Sequence, residues 1–178
     1  VSQATLGETG ISYARNSSKR LEKNMLEWIN IGVMCLALNI YHEARNQDVD
    51  GMYAVADVVM NRVEDYRYPS SVCGVVKQGP VRESWKTVQT ADPTDAVYFP
   101  IKHRCQFSWY CDGKSDFPRN KEAWELAQVI AHTVQIHGSL VDTKGATHYH
   151  TDYVKPEWAS TKTQTVRIGN HIFYRWEK

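Results

Sequence analysis

The chain has 178 residues, enough for one compact domain with a short appendage and too few for a multidomain assembly. Hydrophobic residues make up 42% and charged residues 23%, an ordinary globular balance that excludes a disordered tail, a collagen and a supercharged polymer. Lys and Arg number 21 against 20 Asp and Glu, so no whole-molecule field draws the chain to nucleic acid or an anionic membrane, and a binding site must be local.

Residues 1–20 are polar, hold two glycines and follow no period, which predicts an extension or short helix outside the core. Val1 to Gly10 show no basic segment followed by an apolar one, so no secretory leader is read in the chain as given. From Leu21 to His42, apolar residues at Met25, Ile29, Met34, Leu36, Leu38 and Ile40 permit one long or two short helices, with Gly32 as a candidate break. The apolar run from Trp28 to Ile40 is interrupted by Asn30 and Asn39 and falls short of the ~20 residues of a membrane span. Asp50 to Glu64 carries Met52, Val55, Val59 and Val63 at steps of three or four behind Asp50 as N-cap, and predicts a core helix. Pro69, Gly74, Gly79 and Pro80 punctuate residues 66–118, a stretch expected to be loops with short helices or strands. Asn120 then caps a helix through about Ile136, with Trp124, Ala127, Ile130, Ala131 and Val134 on one face and Gly138 as its stop. Thr163 to Ile168 and His171 to Trp176 flank Gly169-Asn170 as a β-hairpin. Of the four cysteines, Cys105 and Cys111 bridge a loop or Cys73 pairs with one of them, while Cys35 reads as a buried thiol.

Three segments carry candidate chemistry. Glu43 stands at the end of an apolar helix between Tyr41-His42 and Arg45. Desolvation there raises a carboxyl's pKa and lets it donate a proton near neutral pH, whereas a solvated Glu43 paired with Arg45 has no such role. Gln106-Phe107-Ser108-Trp109-Tyr110 joins amide, hydroxyl and aromatic groups, as a sugar groove does, and equally fits a buried strand. His148-Tyr149-His150 offers hydrogen bonds to a groove, or two histidines on one face of a short strand; a zinc site there would lack any H-E-x-x-H. The nucleophile-elbow, phosphate-loop and dinucleotide motifs are absent from the sequence, a Cys-His hydrolase using Cys73 or Cys105 has no supporting motif, and the basic residues are scattered rather than striped.

Taken in order, several blocks resemble the SleB/CwlJ-type cell wall hydrolase family: Ala37 to Arg45 (ALNIYHEAR), Gly51 to Arg62 (GMYAVADVVMNR), Pro69 to Val76, Cys105-Gln106-Phe107-Ser108 with Cys111-Asp112-Gly113, Ala146 to His150, Pro156-x-Trp158, and Ile168 to Tyr174. Two positions depart from the family pattern: His42 replaces a small residue, and Asn46-Gln47 the frequent Gly-Glu. The resemblance implies an α+β, mainly α, lysozyme-like or lytic-transglycosylase-like domain over residues 37–178, with a small antiparallel β element near its C-terminus and residues 1–36 as an extension or helix. It also implies cleavage of the MurNAc–GlcNAc bond of peptidoglycan with Glu43 as catalytic acid. No peptidoglycan-binding repeat precedes the match, which turns the expectation from a spore enzyme toward a phage endolysin or small wall hydrolase.

The expected scheme has Glu43 as acid and then base, with the muramyl C6 hydroxyl attacking internally. A two-carboxylate alternative would draw its second acid from Asp57, Asp112 or Asp152. Gln106, Ser108, His148 and Tyr149 are the expected polar contacts and Trp109 and Trp158 the stacking surfaces, while Asn61 either steadies the Glu43 loop or closes its helix. No metal or cofactor is expected. The expected partner is the glycan strand, met by a monomer at the bacterial wall, without nucleic acid or membrane insertion. The rivals are a metal-dependent amidase or peptidase and a non-catalytic wall-binding module.

Overall fold

The computed structural model describes residues 31–89 and 92–177. The expected N-terminal extension and the first part of the Leu21 to His42 helix lie outside the described residues. Everything below belongs to the compact unit Gly32–Lys178.

Helix α1 covers residues 32–44 of this unit, with Gly32 at its start. Its inward side buries Cys35, Leu36, Ala37, Ile40, Tyr41 and Ala44. The next helix, α2 (Val49–Glu64), is capped by Asp48, whose side chain accepts from the Gly51 amide at 2.8 Å. Asp50, expected as the cap, instead sits in the first turn, where an acid still favours the positive end of the helix dipole. Short α3 (Val72–Val76) follows, and α4 (Lys121–His137) starts at Asn120, which accepts from the Ala123 amide at 2.9 Å. α4 stops at Gly138, whose φ of +84° is a conformation that only glycine adopts cheaply.

Helix α2 is the spine of the fold because it is apolar on two faces. Met52, Val55, Ala56 and Val59 join α1, α3 and α4 in the main core, while Ala54 and Val58 pack with Ala146 and Phe173 of the sheet side. Each fully buried aliphatic or aromatic side chain here is worth about 1.5–3 kcal/mol, so loss of either face would be decisive against a net stability of about 5–15 kcal/mol.

Between α3 and α4 lie a two-stranded ribbon, β1 (Val81–Glu83) and β2 (Tyr98–Pro100), and two short 3-10 turns. One of these turns, Ser108–Cys111, occupies the aromatic segment read alternatively as a buried strand, so the strand expectation fails. The expected hairpin is present as β4 (Thr163–Ile168) and β5 (His171–Arg175), with Gly169 at φ +55° in the turn. β3 (His148–Thr151) pairs with the other edge of β5, giving the order β3-β5-β4. The result is the expected α+β architecture, mainly helical with small antiparallel sheets.

Two disulfides staple the unit, Cys35–Cys73 and Cys105–Cys111. Cys35 is buried as expected but is not a thiol: it ties α1 to α3. Its apolar surroundings gave no hint of a partner 38 residues away.

Candidate active site

The site starts from the last turn of α1. Tyr41 is buried and its hydroxyl accepts from the backbone amides of Arg119 and Asn120, both at 3.0 Å, which anchors this helix end to the start of α4. Ala44 faces the core, and Gln47 closes the helix by donating its amide to the Ala44 carbonyl. With Tyr41 and Ala44 inward, Glu43 is turned toward the sheet, where the Tyr149 hydroxyl donates to its Oε2 at 3.0 Å. Arg45, the alternative partner, lies over the Tyr41 ring at 5.0 Å instead.

Burial pushes the Glu43 carboxyl above the ordinary value of 4.5; the Tyr149 hydrogen bond and the positive charge of Arg62 pull in the opposite direction and do not cancel it. That is the direction a proton donor working near neutral pH requires. Tyr149, opposite Phe173 in the sheet register, is held by ring contacts to His171 and Phe173 at 5.0 and 5.7 Å. Burial and the neighbouring Glu43 keep its phenol well above 10, so it stays a hydrogen-bond donor.

A pocket of about 200 Å³ opens on Glu43 and collects five of the seven residues expected from the sequence: Glu43, Gln106, His148, Tyr149 and Trp158. His148 contacts the rings of Trp158 and Trp176 and shares a 3.0 Å hydrogen bond between its Nδ1 and the Thr147 hydroxyl. Burial, followed by the charges of Arg62, Lys162 and Arg67, lowers its pKa to about 4, so the ring is neutral at physiological pH. His150 turns to Tyr174 and Trp158, and among the described residues no three His, Cys, Asp or Glu side chains gather as a metal-ligand set.

Ser108 and Trp109 are not brought to this pocket. Ser108 is exposed at the start of its 3-10 turn. Trp109 stacks on His42 at 4.6 Å, donates its Nε1–H to the buried Asn39 Oδ1 at 3.1 Å, and lines a separate groove of about 880 Å³ beside His42 and Arg45. The aspartates considered as a second acid are engaged elsewhere. Asp57 accepts from the amide and hydroxyl of Thr143, Asp112 from the Lys114 amide, and Asp152 pairs with Arg167. Asn61 neither steadies the Glu43 loop nor merely closes its helix; its amide donates to Asp57, Thr143 and the Ala146 carbonyl, fixing the approach to β3.

Two pocket residues were not among the individual site residues expected: Phe107, which was read only as part of its aromatic segment, and Arg62. Arg62 had a legible signal: it follows Val55 and Val59 at the same helical spacing, a charge placed on a core stripe. Its Nε donates to the Thr147 carbonyl at 2.7 Å, and its guanidinium faces the rings of Tyr68 and Phe107.

A single carboxyl raised by burial, beside aromatic rings, hydrogen-bonding groups and the Arg62 guanidinium, is an arrangement suited to proton transfer. The chain belongs to the cell wall hydrolase family, whose model matches residues 46–174; Glu43 stands three residues before that match begins. It is 26% identical over 144 residues to the spore cortex-lytic enzyme of Bacillus subtilis (strain 168), covering 81% of this chain and spanning 37% of that relative's length. Among solved structures it is similar to the catalytic domain of the germination-specific lytic transglycosylase SleB from Bacillus anthracis, with a TM-score of 0.53, 26% identity, and 81% of this chain matched to 93% of that one. The Bacillus cereus SleB catalytic domain gives a TM-score of 0.51 at 23% identity, with 81% and 89% coverage, and shares the fold.

Proposed function

We propose that the chain cleaves the glycosidic bond between N-acetylmuramic acid and N-acetylglucosamine in peptidoglycan, as a lytic transglycosylase with Glu43 as its acid and base. The observation that carries this reading is that Glu43, held above the ordinary carboxyl range, is the only carboxyl lining its pocket among the described residues. A two-carboxylate hydrolase requires a second acid across the groove, about 5–9.5 Å away, and the described pocket lining supplies none. In the one-acid scheme Glu43 gives its proton to the glycosidic oxygen as the C1–O bond breaks, and the substrate acetamido group assists. The muramyl C6 hydroxyl then attacks C1 and returns its proton to Glu43, so water is not consumed and the product ends in a 1,6-anhydro ring. Tyr149 orients the carboxyl, Gln106 and His148 offer hydrogen bonds to sugar hydroxyls or acetamido groups, and the Trp158 ring offers a stacking face. The similarity to a structure named as a lytic transglycosylase supports the same reaction. Glycan strands are the proposed partner and the bacterial wall the place of action.

The test is mass spectrometry of the fragments released from purified peptidoglycan. Anhydromuramyl ends from the wild type, lost in a folded Glu43→Gln variant, are expected. Reducing ends would show hydrolysis by water, and free stem peptides would overturn the glycosidase reading.

A further inference from the structure

Arg62 is a charged group of the pocket that the proton transfers leave without a task. It is 3% exposed, its Nε is committed to the Thr147 carbonyl, and its guanidinium lies 5.4 and 5.2 Å from the ring centroids of Tyr68 and Phe107. Its Nη1 is buried and has no hydrogen-bond partner among the described residues. A buried cation costs several kcal/mol unless an opposite charge answers it. The described lining of the pocket contains one carboxyl, Glu43, and the two groups interact through space without an ion-pair contact.

We propose that Arg62 is the positioning residue of this site: a fixed buried cation that stabilises the Glu43 carboxylate during the interval between giving its proton away and taking one back. The proposal rests on the reading of Glu43 as acid and base. While Glu43 is protonated the guanidinium is uncompensated. As the C1–O bond breaks and the proton leaves, negative charge appears on Glu43 and the cation gains its counter-charge. Stabilisation that grows as charge develops lowers the barrier rather than merely tightening binding. The other groups facing Glu43 cannot supply it. Tyr149 from β3 offers one neutral hydrogen bond, and His148, also from β3, is uncharged above about pH 4. Gln106 and the rings of Phe107 and Trp158 carry no charge. Around Arg62 itself, Tyr68 and Thr147 are neutral contacts. The Arg62 charge acts on Glu43 in the required sense, pulling that carboxyl down, although burial outweighs it and the net shift is upward.

A purely structural Arg62 would hold the Thr147 carbonyl and nothing more, and a pH measurement separates the two roles. In the full chain carrying 13C-labelled glutamate carboxyls, NMR follows the titration of Glu43 in wild type, Arg62→Met and Arg62→Lys, alongside pH profiles of turnover on purified peptidoglycan. Arg62→Met is expected to move both the Glu43 midpoint and the alkaline limb of turnover to higher pH and to lower kcat by about tenfold or more. Arg62→Lys, which keeps the charge without the planar fork, should bring the midpoint back toward wild type. A folded Arg62→Met with an unmoved midpoint would overturn the proposal. If that variant does not melt cooperatively, a folded Arg62→Lys whose midpoint rises away from wild type overturns it equally. The midpoint needs no turnover, so a shifted midpoint in a protein that releases no glycan fragments would sink the glycosidase reading and leave the Arg62–Glu43 coupling standing.

Discussion

The two disulfides close loops of very different length, and their removal should therefore separate stability from activity. Cross-linking removes loop-closure entropy from the unfolded chain. For the separation of 38 between Cys35 and Cys73 the chain-entropy relation gives about 4 kcal/mol, and for the separation of 6 between Cys105 and Cys111 about 2 kcal/mol. At about 2–4 °C per kcal/mol for a domain of this size, Cys35→Ala/Cys73→Ala should melt about 8–16 °C below wild type, and Cys105→Ala/Cys111→Ala about 4–8 °C below. Alanine is the replacement of choice because a serine hydroxyl at the buried Cys35 would bring its own desolvation cost. Activity should rank the other way. The short disulfide directly flanks Gln106 and Phe107, which line the Glu43 pocket, whereas the long loop contains Glu43 and Arg62 but is closed at Cys35 and Cys73, eight and eleven residues along the chain from them and outside the lining. Melts by circular dichroism, paired with fragment release well below the melting range, test both halves. Equal melting losses, or a short-loop variant with wild-type turnover and a long-loop variant without it, would refute the reasoning.

Glu43→Gln should be more stable than wild type at neutral pH and lose that advantage in acid. The folded state raises the Glu43 pKa, so its contribution is fully present below the unfolded value of 4.5 and is lost as pH rises through the raised folded value. The amide that replaces the carboxyl does not titrate, so the difference in Tm should be smallest near pH 4 and grow toward pH 7. A constant offset between the two would contradict the burial of the acid. Turnover by the wild type should fall through the same alkaline window, as the donor ionises. Tyr149→Phe keeps the ring contacts to His171 and Phe173 but removes the hydrogen bond to Glu43. It should lower kcat about tenfold, the equivalent of roughly 1.4 kcal/mol for a hydrogen bond to a charged group, with KM little changed. Steady-state kinetics on soluble glycan fragments would show otherwise if KM carried the loss.

The helices were legible because each combines a core period with local punctuation. The α4 boundaries follow from Asn120 and Gly138, and the β4–β5 turn from Gly169-Asn170. The cap of α2 slipped by two residues because Asp48 and Asp50 are both sound N-cap residues and only the backbone decides between them. Glu43 was readable through the family resemblance, and Gln106, His148, Tyr149 and Trp158 as groove groups through the chemistry of their side chains; the fold gathers these five around one pocket and leaves Ser108 and Trp109 out of it. Trp109 was drawn elsewhere by the buried amide of Asn39, a contact between residues 70 apart that no local pattern announces. The partner of Cys35 was equally invisible, since a disulfide depends on how helices pack and not on how their sequences read.

The hydrogen bond from Tyr149 to Glu43 joins two parts of the molecule that are built separately, the acid standing on a helix of the main core and its donor on a strand held through the second cluster of Ala54, Val58, Ala146 and Phe173. Neither layer holds a working centre by itself. A partly folded chain with its helices assembled and its sheet undocked would present Glu43 without its donor and without the His148 and Trp158 side of the pocket. The proposed proton transfer by Glu43 therefore depends on both layers being in place at once.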